Sequence, residues 1–218
     1  MRKTITLLTL LLNLIWTTST TPTAWRTGIV MMLYKGKGDI GNCDNYRGIS
    51  LLTHMMKVFT KLISQKLLKV VRLPDEQFGF RKGKSTMDAI NILRQRVKEA
   101  LSSPRTPLYA VLIDFKKAFD QVPRQKLLEK LTKFHGIPPD SRLHMIIKDL
   151  LKQNFIQIDD GLRKTGLIRQ KDGVLQGDSL SPLLFIAFVA DLPDELSDAG
   201  VEPIMYCLLY TSPSPRDA

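Results

Sequence analysis

The run Leu108-Tyr109-Ala110-Val111-Leu112-Ile113-Asp114 constrains the fold more than any other stretch of this chain. It is short, almost continuously apolar, and set off by the turn-rich segment "SSPRTP" before it. Such a run reads as a buried strand. Its C-terminal end delivers one carboxylate, Asp114, and a second, Asp120, follows six residues later beyond a turn. A carboxylate held at a strand end is rigid enough to place a metal ion. The alternative is that Asp114 only terminates the strand or caps a helix.

The other elements arrange themselves around that strand. Residues 5–17 predict a helix, with Leu7, Leu8, Leu11, Leu14 and Ile15 on its packing face. "WRTGIVMMLYK" and "YRGISLL" predict two strands joined by the Gly- and Asn-punctuated loop "GKGDIGNCDN". A helix follows from Thr53, with Met56, Phe59, Leu62, Ile63, Leu67 and Val70 recurring at helical spacing, and Pro74 stops it. Ser85 is placed to cap a helix running to about Ala100. Helices at about 123–134 and 139–153, a hairpin from "FIQID" to "TGLIRQKDG", and a buried helix at about 179–192 come next. "EPIMY" then begins a strand that calls for a hairpin partner. Strands and helices alternate irregularly, so the class is α+β.

The charge is uneven. Residues 1–113 carry 18 basic and 6 acidic side chains, whereas residues 114–218 carry 14 and 15. A basic half joined to a near-neutral half with the key carboxylates suits a polyanion held beside a metal site, although a generic basic surface gives the same totals. Two cysteines, Cys43 and Cys207, make neither a disulfide framework nor a zinc cluster, and His54, His135 and His144 lack ligand spacing. The apolar stretch Leu7–Trp16 behind Arg2 and Lys3 imitates a secretion signal but is too short to span a bilayer. The expected location is intracellular, nucleus or cytoplasm, with secretion as the alternative if residues 1–24 act as a signal. No membrane partner is expected.

Three further groups carry chemistry. Carboxylates such as Asp114 and Asp120 are the hard oxygen ligands that two Mg²⁺ ions need for nucleotidyl transfer. Phe119 can floor a sugar pocket, or it can be core. In "GVLQGDSLSP", Gly173 and Gly177 let the backbone approach a ligand closely, Gln176 can bond a nucleotide or template without charge, and Ser179 with Asp172 and Asp178 suits a helix start. The basic loops "YKGKGD", "YRGIS" and "FGFRKGKST" place Lys35, Lys37, Arg47, Arg81, Lys82 and Lys84 beside glycines, with Phe78 and Phe80 interleaved. Such loops fold over a triphosphate or track a phosphate backbone, and the aromatics can stack on bases.

Taken together and in order, "NYRGISLL", "EQFGFRKGKST", "IDFKKAFD" and "LQGDSLSPLLF" resemble the reverse transcriptases of LINE-type (non-LTR) retrotransposons, from about Trp25 to Tyr206. The resemblance implies a right-hand polymerase. The link 1–24 would precede fingers at 25–106 and a partial palm at 107–206, with an incomplete antiparallel palm sheet and packed helices. It implies RNA-templated DNA synthesis with Mg²⁺, an RNA template, a DNA primer and dNTPs. Asp114 then matches the first catalytic metal ligand, Phe119 the sugar-selecting aromatic, and Gln176 and Gly177 the block meeting nucleotide and template. Arg47 and Lys35 match the residues that hold the triphosphate, Arg81, Lys82 and Lys84 are expected on nucleic acid, and Asp120 becomes structural. The chain departs from the family after Tyr206, where Cys207-Leu208-Leu209 stands in place of Ala-Asp-Asp. Two of three metal carboxylates are therefore expected to be missing, residues 207–218 to be a foreign or disordered tail, and the chain to be catalytically inactive. A non-catalytic nucleic-acid-binding module is the competing expectation.

Overall fold

The computed structural model describes residues 2–102, 108–115, 117–152, 154–161 and 163–206. In chain order these form α1 (Arg2–Thr18), β1 (Thr27–Tyr34), β2 (Tyr46–Leu51), α2 (His54–Leu68) and α3 (Thr86–Ser102). Then come α4 (Arg124–Lys133), α5 (Arg142–Lys152), β3 (Asn154–Asp159), β4 (Ile168–Gln170), α6 (Ser181–Phe188) and α7 (Leu192–Asp198). The chain divides into two compact units, one of Met1–Val71 with Phe119–Phe188 and one of Arg72–Ala118 with Val189–Ala218.

The first unit is built on a four-stranded sheet in the order β2-β1-β3-β4. β1 and β2 pair antiparallel, with Tyr34 opposite Tyr46 and Ile29 opposite Leu51. β3 and β4 also pair antiparallel, matching the expected hairpin. The sheet is not antiparallel throughout, however, because β1 and β3 run parallel, with Thr27 opposite Phe155. Parallel strands need a long crossover, and here the helices between β2 and β3 supply it.

Of those helices α2, α4 and α5 bury apolar residues on the sides that their periodicity marks, whereas Met87, Ile90, Leu93 and Val97, the expected packing side of α3, are exposed. α2 seals Phe59, Ile63 and Leu67, α4 seals Leu127 and Leu131, and α5 seals Ile146 and Ile147. α6 is apolar all round and is buried from Leu183 to Ala187, as an apolar helix inside a core must be. The Thr53 hydroxyl accepts from the Met56 N–H at 3.3 Å and starts α2. Asp149 of α5 ties down the link after α1, accepting from the Thr21 N–H and hydroxyl at 2.7 Å each and from Arg26 at 3.2 Å.

Three expectations are corrected. Within α1, Ile15 is buried, but Leu7 and Leu14 are 68% and 60% exposed, so the packing stripe is narrower than the leucine count suggests. The helix expected over 179–192 is shorter, Ser181–Phe188, and a separate helix, α7, opens at Leu192. Pro193 stands in the first turn of α7, where its missing N–H leaves no helical bond unmade. Most consequentially, residues 108–115 carry no strand. Val111 and Leu112 are 84% and 95% exposed. Apolar sequence makes a segment β-prone, but a strand exists only where it pairs with another, and among the described residues no sheet or bridge pairing includes 108–115.

The second unit also holds α3 and α7. Ser85 and Asp88 close a capping box at α3, the Asp88 carboxylate accepting from the Ser85 N–H and hydroxyl at 2.7 Å each. The expected strand "EPIMY" is reduced to one parallel bridge between Met205 and Gln77. There the Phe78 N–H donates to the Met205 carbonyl at 2.8 Å and the Met205 N–H to the Glu76 carbonyl at 2.9 Å.

Candidate nucleotide and template site

The β1–β2 hairpin positions two of the expected cations. Its register sets Arg47 opposite Leu33, Ile49 opposite Met31, and Leu51 opposite Ile29. Directly opposed residues share a face, so the half-buried Arg47 stands at the end of an apolar sheet face whose Met31, Leu33, Ile49 and Leu51 are exposed. Lys35 lies one residue past β1, where its N–H donates to the Asn45 carbonyl at 2.8 Å and its ammonium to the Asp44 carbonyl. The connecting loop is held by its own tyrosines. The Tyr46 hydroxyl donates to the Ile40 carbonyl at 2.9 Å, and the Tyr34 hydroxyl donates to the Gly38 carbonyl.

The "GVLQGDS" loop meets this hairpin at the outer edge of β2. The Ser50 N–H donates to the Gln176 carbonyl at 2.9 Å. Gly177 has φ +103°, and a Cβ there would lie 3.0 Å from the Ser50 carbonyl oxygen and 3.8 Å from Ile49 Cγ2. Glycine is required by both the dihedral and the approach. The first unit thus gathers Arg47, Gln176 and Gly177 along one strand, with Lys35 at its hairpin end. Gln176 is half-buried and Gly177 exposed, so the turn is open to solvent.

Buried contacts hold the loop from behind. Gly173, at φ +85°, packs so tightly that a Cβ would lie 2.6 Å from the Asp120 carbonyl oxygen. The Gly173 and Val174 N–H groups donate to the Val122 and Phe119 carbonyls, each at 2.8 Å. Phe119 is buried and stacks on Phe185 with ring centroids 5.4 Å apart. The buried Arg124 guanidinium donates to the carbonyls of Gly173 at 2.8 Å, Leu151 at 2.8 Å and Gln170 at 3.1 Å. Burial pushes its pKa down, opposed by the charge of Asp172.

Asp178 is buried as well, and its carboxylate accepts from the fully buried Thr60 hydroxyl at 2.5 Å. Burial raises the pKa of this carboxyl, against the opposing pull of the Thr60 hydroxyl, the Ser179 and Leu180 N–H groups, and the charge of Lys57. Arg124 and the Thr60–Asp178 pair were not identified as site residues by sequence. The only signal was a threonine on the otherwise apolar buried face of α2, where a hydroxyl needs a partner.

The second unit holds the remaining candidates. Arg81 donates to the Pro74 carbonyl and lies 3.5 Å from the Asp75 carboxylate. Lys84 donates to the Asp75 carbonyl, lies 3.4 Å from the same carboxylate and stands 4.8 Å over the Phe78 ring. Both cations therefore brace the 74–84 loop, while Lys82 is exposed. Phe78 is buried and Phe80 is 45% exposed. Asp114 is exposed at the end of the apolar run.

Among the described residues no three His, Cys, Asp or Glu side chains group as a metal site. Their donor set therefore does not fit a two-Mg²⁺ centre by itself. Cys207, Leu208 and Leu209 lie outside the described residues.

Residues 35–210, which include the β1–β2 hairpin and the Gln176–Gly177 turn, match the family described as "Reverse transcriptase (RNA-dependent DNA polymerase)". The chain belongs to the reverse transcriptases. Its relatives place it with the LINE-type, non-LTR retrotransposon members. It is 31% identical over 190 residues to the Drosophila melanogaster protein "Probable RNA-directed DNA polymerase from transposon BS", covering 85% of this chain and 20% of that protein. It is 30% identical over 178 residues to the "RNA-directed DNA polymerase from mobile element jockey" of the same fly, covering 79% and 19%. A third, "Retrovirus-related Pol polyprotein from type-1 retrotransposable element R2" of Popillia japonica, is 26% identical over 171 residues, covering 78% and 24%. The chain thus spans about a fifth to a quarter of the length of these relatives.

Proposed function

We propose that this chain is the nucleotide- and template-binding portion of a retrotransposon RNA-directed DNA polymerase, and that it binds an RNA–DNA primer–template without extending it. The observation that carries the reading is that the Gln176–Gly177 turn lies against Ser50 of β2, three residues along the same strand from Arg47, with Lys35 just past the end of β1. The hairpin cations serve the triphosphate or the strand backbone, and the Gln176–Gly177 turn offers a close, uncharged backbone approach. Phosphoryl transfer depends on charge stabilisation by metal-held carboxylates. Asp114 is the single family carboxylate present, since Cys207-Leu208-Leu209 stands where the family has Ala-Asp-Asp. One carboxylate cannot hold two Mg²⁺ ions, so binding outlives catalysis. The site of action is intracellular, with RNA template, DNA primer and dNTPs as partners and Mg²⁺ as the parent enzyme's cofactor.

Filter binding of a short RNA–DNA hybrid across a salt series tests this. The affinity should fall steeply with salt, and Arg47→Ala should reduce the log–log slope by about 1. Binding that is flat across the salt series would rule the reading out.

A further inference from the structure

We propose that Asp178 is a positioning residue. Its buried carboxylate, held by the Thr60 hydroxyl of α2, fixes the Gln176–Gly177 turn against β2 in the geometry that receives nucleotide or template. The inference rests on the function proposed above and deepens it.

Asp178 follows Gly177 directly, so the turn cannot move while that carboxylate is fixed. Thr60 sits on the buried face of α2 beside Phe59 and Ile63, in the middle of the core. The 2.5 Å bond between the two therefore ties an open loop to the buried face of α2. On the other side of the turn, the Ser50 N–H reaches the Gln176 carbonyl, and Gly177 is pressed against the Ser50 carbonyl. The turn is thus clamped between β2 and the Asp178 anchor.

An acid buried only to fill space would be costly, because a desolvated carboxylate needs every bond it can make. Asp178 also receives the Ser179 and Leu180 N–H groups ahead of α6. A cap alone would account for those two bonds. It would not account for the threonine supplied by a different helix.

The two roles separate experimentally, because Thr60→Val removes the hydroxyl, keeps the shape and leaves the cap bonds alone. Amide hydrogen exchange on the full chain should show the Ser50 N–H exchanging about tenfold faster in Thr60→Val, the equivalent of one lost buried bond. The Ile146 and Ile147 amides of α5 serve as the internal reference and should not change. Thr60→Ser keeps the hydroxyl and should restore slow exchange. Asp178→Asn keeps an acceptor of the same shape and should fall between.

Anisotropy with a short RNA–DNA hybrid should show weaker binding by Thr60→Val, and wild-type affinity for Thr60→Ser. Ser50 exchange unchanged in Thr60→Val, or equally fast in Thr60→Ser, overturns the positioning role. A wild-type chain that fails to bind the hybrid while Ser50 still responds to Thr60→Val refutes the functional reading, and with it the receiving role of the turn, but upholds the clamp.

Discussion

Arg124 offers the sharpest test of how the loop behind the site is held. Arg124→Met keeps the aliphatic stem and removes the guanidinium. Three carbonyls lose their donor: Gly173, Leu151 near the end of α5, and Gln170 at the end of β4. A hydrogen bond to a charged group contributes about 1.5–3 kcal/mol, and an orphaned buried acceptor costs about as much. Against this, removing the cation relieves its own desolvation, which is large enough to depress its pKa. The Gln170 bond, the longest and only part-buried one, contributes least. The balance is a loss of about 3–4 kcal/mol, in the range seen when one member of a buried polar set is removed. With a urea slope of about 2 kcal/mol/M, the unfolding midpoint should drop by about 1.5–2 M. Arg124→Lys keeps the charge but not the fork, and should recover less than half of the loss. A midpoint shift below about 0.5 M for Arg124→Met, with the slope unchanged, would refute the clamp.

Two other perturbations probe the same loop. Gly173→Ala would put a Cβ 2.6 Å from the Asp120 carbonyl at φ +85°; we expect several kcal/mol of destabilisation in urea melts, on the order of 3 or more, and a loss under about 1 would show that the backbone there can yield. Asp178→Asn should change how stability depends on pH. The folded pKa of Asp178 lies above its ordinary value of 3.8. Its contribution is therefore fully present below that value and is lost as pH rises through the raised folded one. Wild type should lose stability relative to Asp178→Asn across that window, with Lys57 and Thr60 facing the group in both. A difference that is constant with pH, or of opposite sign, would contradict the burial of this carboxyl.

What was legible in the sequence follows from where the determining forces act. The β1–β2 hairpin, the β3–β4 pairing, the helix starting after Thr53 and the Ser85 start of α3 are local, and they stand close to their expected places. The loop that carries Gln176 and Gly177 could also be read, because its glycines announce backbone conformations that other residues avoid. Long-range completion could not be read. Residues 108–115 have strand composition, but strand formation depends on a partner that composition does not provide. The parallel pairing of β1 with β3 joins residues more than a hundred positions apart. The tethers of the loop, Arg124 and Thr60, are polar residues on helix faces whose partners lie on other elements.

Primer extension addresses the central claim most directly, that the chain keeps the binding apparatus of a reverse transcriptase without its catalytic metal centre. The purified chain should be given an RNA template, an annealed DNA primer and dNTPs, with Mg²⁺ and separately with Mn²⁺. The primer should stay at its starting length with either ion, although the hybrid is bound. Incorporation above background that disappears in Asp114→Ala would contradict it.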